Sequence, residues 1–372
     1  MSKYRIKNTA GMFNLIKGLT LLGVMMGHTY GYGHIISGYE SIYQLFKERN
    51  LLIALVILFL NFLRLVGMPA LFIISGYGFR KSTTKECIKR QWKLLLKPYL
   101  IVVIISSIIS FFSCVLWYRS FSYGIKTAFK IFLGGIGGVT YAPVLFGIEV
   151  IPSGPIWYLM TLAIAYVLFN ILAKFFDGKK LLVASIIAEL VGVAFYFIFP
   201  PLPWCITQSI SAVMYIYLGY IAKKKKLFTE MSNRLSNHKL LYIPIVLALL
   251  SFYVLVPMFE SATETFGLIV LSDIGYTVVA FFWIYFLLFL NRFNGRISNF
   301  IRDIGVQTLY VLCIHNIEYM TIGGLLQVWL FENWRGATFA RVMITFSVRA
   351  VVVLLLTFGY VWVKDKLSMK KV

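Results

Sequence analysis

The sequence predicts an all-α protein: a polytopic membrane bundle of about ten transmembrane helices, with both termini cytoplasmic. Three observations carry this. Of 372 residues, 60% are hydrophobic and only 13% charged, with a mean hydropathy of +0.82, too little charge to cover a soluble domain of this length. The apolar residues gather in runs near the roughly 20 residues that a spanning helix needs. The 36 Lys and Arg residues cluster between those runs on alternate sides, as retained cytoplasmic loops do. The net charge of +22 would suit nucleic acid only on a soluble fold with a basic face, so nucleic acid is not an expected partner.

The first run, 13–32, follows a basic stretch and has no small-x-small cleavage site, so it reads as a retained span. The second, 62–79, carries Arg64 at its outer end, where the side chain can snorkel. Part of the apolar stretch 51–61 is expected to lie along the outer surface. Spans 3 to 6 are expected near 95–117, 156–176, 181–199 and 204–222, and the last four near 240–257, 268–290, 305–325 and 343–363. The outer segments include a long stretch, 118–155, with the Gly-rich GGIGG, and a loop with Glu260 and Glu264. On this reading 26 of the 36 basic residues face the cytoplasm, 7 face outward, and Lys17, Arg64 and Arg349 fall within or at the edge of spans. No internal repeat or soluble segment divides the chain, so residues 1–372 are expected to form one membrane domain.

The first run, NLIKGLTLLGVMMGHTYGYG, holds two unusual residues. Lys17 and His28 are eleven apart; at 100° and 1.5 Å per residue they share one helix face about 16 Å apart along the axis. Singly, Lys17 reads as a snorkelling residue and His28 as equally suited to an interfacial or a functional role; the shared face favours function. FIISGYGFRK, residues 72–81, offers Ser75 in an apolar setting and Gly76 for close helix approach. Arg80, Lys81, Lys85, Lys89, Arg90, Lys93 and Lys97 follow, reading either as positive-inside anchoring on anionic lipid or as a docking surface for a polyphosphate. IPSGPIWYLMTL, residues 151–162, fixes a turn before Trp157 and Tyr158, which also suit an outer aromatic belt. In IGVQTLYVLCIHNIEYM, residues 304–320, His315 and Glu318 share a helix face near mid-membrane, a functional candidate by default. Glu189 is intramembrane with no partner visible in the sequence. Cys87, Cys114, Cys205 and Cys313 form no CxxC pair, so neither a disulfide framework nor a metal site is expected.

In this order the segments resemble the acyltransferase-3 family of bacterial integral membrane acyltransferases, over about residues 10–363. The family's opening polar or acidic residue, basic residue and histidine look like Asn14, Lys17 and His28. Its second-helix Ser-Gly-aromatic ending looks like LFIISGYGF, its turn before the fourth helix like GPIWYL, and its late Gly-x-x-(Ser/Thr)-Leu-Tyr segment like GVQTLYVLCIH. Asn14 and Lys17 stand where Asp and Arg are common, so no ion pair joins those two positions. The resemblance implies a bacterial cell-membrane O-acyltransferase that moves an acyl group, usually acetyl, from cytoplasmic acyl-CoA to a hydroxyl of a cell-surface or lipid-linked glycan. Such an enzyme acts alone or with a separate extracytoplasmic transferase. On this expectation His28 and Lys17 are the catalytic residues, His28 as the general base, and Lys17 with Arg80, Lys81 and Arg90 also holds the CoA phosphates. Ser75, Trp157 or Tyr310 donates to the oxyanion, unranked among themselves. Asn14, His315 and Glu318 belong to acceptor binding or to the scaffold. The competing class is a transporter or glycan flippase, since intramembrane His, Glu and Lys also describe proton-coupled carriers. A third is a sensory domain that keeps the fold without activity.

Overall fold

The structure, a computed structural model, describes residues 11–37, 45–47, 49–140, 144–199, 202–229, 242–243, 266–291 and 295–369. The expected span at 240–257 lies almost wholly outside them, as do the side chain of Arg64 and the loop carrying Glu260 and Glu264. The regular structure of the described chain is helical apart from one short hairpin, β1 (Val144–Leu145) with β2 (Ile148–Glu149). Five of its helices are long and apolar enough to cross a membrane, and a bent pair makes a sixth. This is an all-α polytopic membrane protein.

The opening run is shorter than its expected 13–32. Helix α1 (Asn14–Gly27) has 14 residues and ends with His28 as its C-cap. Gly31, at φ +80°, turns the chain into α2 (Tyr32–Ser37); a side chain at Gly31 would collide with the Phe331 ring. At about 21 Å, α1 does not reach across an apolar layer of about 30 Å. His28 therefore ends inside the bundle.

Helix α3 (Leu51–Tyr77) is one continuous 27-residue element that passes through Pro69. Residues 51–61 extend it instead of forming a separate surface strip: Ala54 and Ile57 pack with Tyr32, Phe331 and Val342. The crossing of α1 and α3 is antiparallel and close, since a Cβ on Gly23 would fall 2.8 Å from Leu63 and one on Gly67 2.8 Å from Thr20. Backbones that near depend on small residues.

After Thr83, whose hydroxyl and Glu86 form a capping box, α4 (Thr84–Gln91) runs through a π turn at Trp92–Leu96 into α5 (Lys97–Tyr118). The expected outer loop 118–155 instead opens with a helix, α6 (Phe121–Ile136), packed antiparallel on α5. Tyr99 donates to the Gly135 carbonyl at 2.6 Å, and Gly124 lies against Phe111 and Val115. Sixteen residues span only about 24 Å, so α6 falls below a 20-residue criterion and its glycines read as loop.

Helices α7 (Trp157–Phe175), α8 (Gly178–Ile198) and α9 (Ile206–Lys224) agree with their expected spans within a few residues. Ser82 and Asn170 exchange backbone and side-chain hydrogen bonds, and Lys174 donates to Thr84 at 2.6 Å. Two of the basic segments thus meet at one end of the molecule. Helix α10 (Phe266–Leu290) follows, then amphipathic α11 (Arg296–Val306). There Arg302, expected in a cytoplasmic loop, is fully buried and donates to Ser298, Asn299 and the Asn291 carbonyl.

The expected span 305–325 is broken. Helices α12 (Thr308–Tyr319) and α13 (Ile322–Asn333) meet at 65°. Gly323 sits against the Glu318 carboxylate, where a Cβ would come within 2.3 Å of Oε1. Helix α14 (Thr338–Met369) closes the bundle.

Candidate functional site

The site begins where α1 stops. The ring of His28 places Nδ1 2.8 Å from the Val24 carbonyl oxygen one turn earlier. A carbonyl only accepts, so Nδ1 carries the hydrogen and Nε2 is the basic nitrogen. This tautomer follows from the geometry of the bond.

Arg349 of α14, which the sequence shows only as a cation at the edge of a span, is the hub of the surroundings. Its Nε and Nη2 donate to Oε1 and Oε2 of Glu318, both at 2.7 Å. Its Nη1 donates to the Gln327 side-chain oxygen at 2.7 Å and to the His28 carbonyl at 2.8 Å. That Gln327 oxygen also accepts from the Tyr30 backbone N–H at 3.0 Å. One guanidinium therefore ties the end of α1 to α12, α13 and α14. The fork-to-carboxylate geometry suits Arg and not Lys. Arg349 is 4% exposed and Glu318 7%, so each neutralises a charge that would be costly alone.

His315, 1% exposed, packs edge-on to His28 with ring centroids 5.7 Å apart, and its Nδ1 lies 3.5 Å from Glu318 Oε2. Tyr319 completes the aromatic wall, 5.3 Å from the His28 ring. The structure thus brings three of the sequence candidates together, His28, His315 and Glu318. It adds Arg349, Gln327 and Tyr319, which sequence reasoning missed. A signal for Arg349 was present: it and Glu318 are intramembrane charges of opposite sign, and Arg349 has no acidic residue within four positions on its own helix.

Other candidates lie elsewhere. The Ser75 hydroxyl is 3.1 Å from the Tyr158 hydroxyl, and the Ser75 carbonyl accepts from Tyr166. From the antiparallel contact of Gly23 with Leu63, His28 extends about 7 Å one way and Ser75 about 18 Å the other. Tyr310 accepts from Lys364 at 2.5 Å and packs on Tyr360, on the α14 side of α12. Trp157 opens α7 beside Phe72, and its carbonyl accepts from the Cys205 thiol at 3.8 Å. None of the three oxyanion candidates contacts the His28 ring.

Lys17 is half-buried three turns before His28, and its amine makes no hydrogen bond or ion pair among the described residues. Asn14, also half-buried, presents its backbone carbonyl to Gly305 of α11. Arg80 and Lys81 are exposed, and Arg90 donates to the Arg80 carbonyl at 3.2 Å. Among the described residues no group of His, Cys, Asp and Glu could hold a metal ion.

Set against known proteins, residues 12–364 match the model of a family described as an acyltransferase domain. No curated protein and no solved structure matches the chain.

Proposed function

Since the chain belongs to this acyltransferase family along nearly its whole length, we propose that it transfers an acetyl group from cytoplasmic acetyl-CoA to a hydroxyl of a cell-surface or lipid-linked glycan in a bacterial cell membrane. The observation that carries the reading is the fixed His28 ring, with Nδ1 held by Val24 and Nε2 as its basic nitrogen. The hydroxyl oxygen attacks the thioester carbonyl carbon as His28 Nε2 takes its proton. The tetrahedral adduct then collapses, the C–S bond breaks, and His28 returns the proton to the sulfur of CoA.

The donor enters from the basic end. Arg80, Lys81 and Arg90 attract the CoA phosphates and Lys17 meets them inside the bundle; the same surface favours anionic lipid. The rise of about 16 Å from Lys17 to His28 suits the pantetheine arm. The acyl group reaches the glycan directly or through a separate extracytoplasmic transferase. Arg349 and Glu318 are positioning residues: Glu318 fixes the guanidinium, and Arg349 donates to the His28 carbonyl and so holds the end of α1 in register.

The broken pair α12 and α13 favours a second reading, a carrier, because discontinuous helices line substrate sites in transporters. Mass decides between them. Glycan mass spectrometry on cells lacking the gene, complemented with wild type or His28→Ala, should show an acetyl-sized mass restored by wild type alone. An unchanged glycan profile with the protein present in the membrane would overturn the acylation reading and leave the carrier.

A further inference from the structure

Beside His28 lies a cavity of about 360 Å³ between the α5–α6 hairpin and the α12–α13 bend, within the size of small-molecule sites. Its floor is buried, with Ser110 at 2% and Ser113 at 5% exposure. Its rim is aromatic: Tyr118 and Tyr123 are half exposed, with ring centroids 4.8 Å apart. The rim sits at the turn of the hairpin, at the far end of α5 from Lys97 and the basic residues before it.

Two lining residues connect this cavity to the site above. Tyr319 is the ring packed on His28, and Gln327 is the acceptor for Arg349. The oxygen of Gln327 is taken by Arg349 and by the Tyr30 N–H, so its amide N–H groups are what it can offer a ligand. Ser113 donates its own proton to the Ile109 carbonyl at 2.8 Å and is left as an acceptor. Thr127 and Ser110 add further hydroxyls. Among the described lining residues none is charged.

A wall of tyrosine rings, a floor of hydroxyls and an absence of charge match an uncharged polyhydroxylated ring. The C–H faces of such a ring pack on aromatics while its hydroxyls bond to Ser, Thr and Gln. A carboxylate or phosphate would lose its hydration there with no cation to meet it. We infer that this cavity is the acceptor site and takes an uncharged saccharide unit, whose hydroxyl is presented past Tyr319 to His28. The inference rests on the acyl-transfer reading for the chemistry, and on the cavity alone for the binding.

The test uses the full chain in lipid nanodiscs with radiolabelled acetyl-CoA and three probes: methyl β-D-glucoside, octyl β-D-glucoside and octyl β-D-glucuronide. Both glucosides should accept label, and the glucuronide should accept at least tenfold less. A preference for the octyl over the methyl compound indicates a lipid-linked source of the sugar, and the reverse a free glycan. Tyr123→Ala and Ser113→Leu should raise the acceptor KM about tenfold and leave the acetyl-CoA KM unchanged. Thr127→Val serves where the bulkier change fails to fold. Equal use of the glucuronide, or variants that leave the acceptor KM unmoved, would overturn the assignment. If wild type labels none of the probes, the acyl-transfer reading fails, and saturation-transfer NMR with methyl β-D-glucoside decides the cavity separately. A signal lost in Tyr123→Ala sustains the saccharide site, and no signal in wild type removes it.

Discussion

At the scale of single residues, the site depends on one ring and one guanidinium. Replacing His28 by Ala removes the base and should lower turnover by roughly 10²- to 10⁴-fold, measured as acetyl transfer by purified protein at constant acetyl-CoA. Arg349 has a different signature. Arg349→Lys keeps the charge and loses the fork to Glu318 and the bonds to Gln327 and His28. It should cost about 3 kcal/mol in stability, as a broken buried pair does, seen as a lower thermal transition in nanodiscs. Ser75→Ala and Tyr310→Phe should both retain near-wild-type turnover. Ser75 is bonded at the opposite end of α3 and Tyr310 is held on α14. A hundredfold loss in either would return that residue to the oxyanion role. His28 and Glu318 were legible in the sequence because polar groups inside apolar runs are conspicuous. Arg349 was visible too, but which carboxylate it meets is set by two helices 31 positions apart.

At the scale of elements, glycines set how closely helices approach. A Cβ on Gly305 would fall 1.8 Å from the Asn14 carbonyl oxygen, whereas one on Gly359 meets nothing within 4 Å. Gly305→Ala should therefore separate α11 from α1 and lower the thermal transition. Gly359→Ala, on an exposed stretch of α14, should raise it, with a gain in stability of about 1 kcal/mol through helix propensity alone. Paired unfolding measurements on the two variants check both signs. Displacing α1 also moves His28, so Gly305→Ala should lose activity as well. Hydropathy located α7, α8, α9 and α10 because each is an apolar run of 19 residues or more. It missed α6 and the break between α12 and α13, where the helix is short or bends at residues an apolar count does not weigh.

At the scale of the whole molecule, the chain is polarised. The segment from Arg80 to Lys97 meets the end of α7 through Ser82, Thr84 and Lys174, while the hydroxyl-lined cavity opens at the far end of α5. If the basic end recruits acyl-CoA, then charge reversal at exposed Arg80 and Lys81 should raise the acetyl-CoA KM about tenfold, with a weaker salt dependence than wild type. The acceptor KM should not move. Hydrophobicity, charge segregation and the order of short motifs are properties of the chain itself, so the sequence alone determined a helical membrane protein, its family resemblance and His28 as the central candidate. Only the tertiary structure decided that α1 stops at His28 inside the bundle and that Arg349 clamps its carbonyl. It also decided that Ser75, Tyr310 and Trp157 lie off the His28 ring and that a neutral cavity adjoins it. Those are contacts between helices distant in sequence, and they follow from which glycines let backbones meet and which buried charges must find each other, neither of which is written in any one segment.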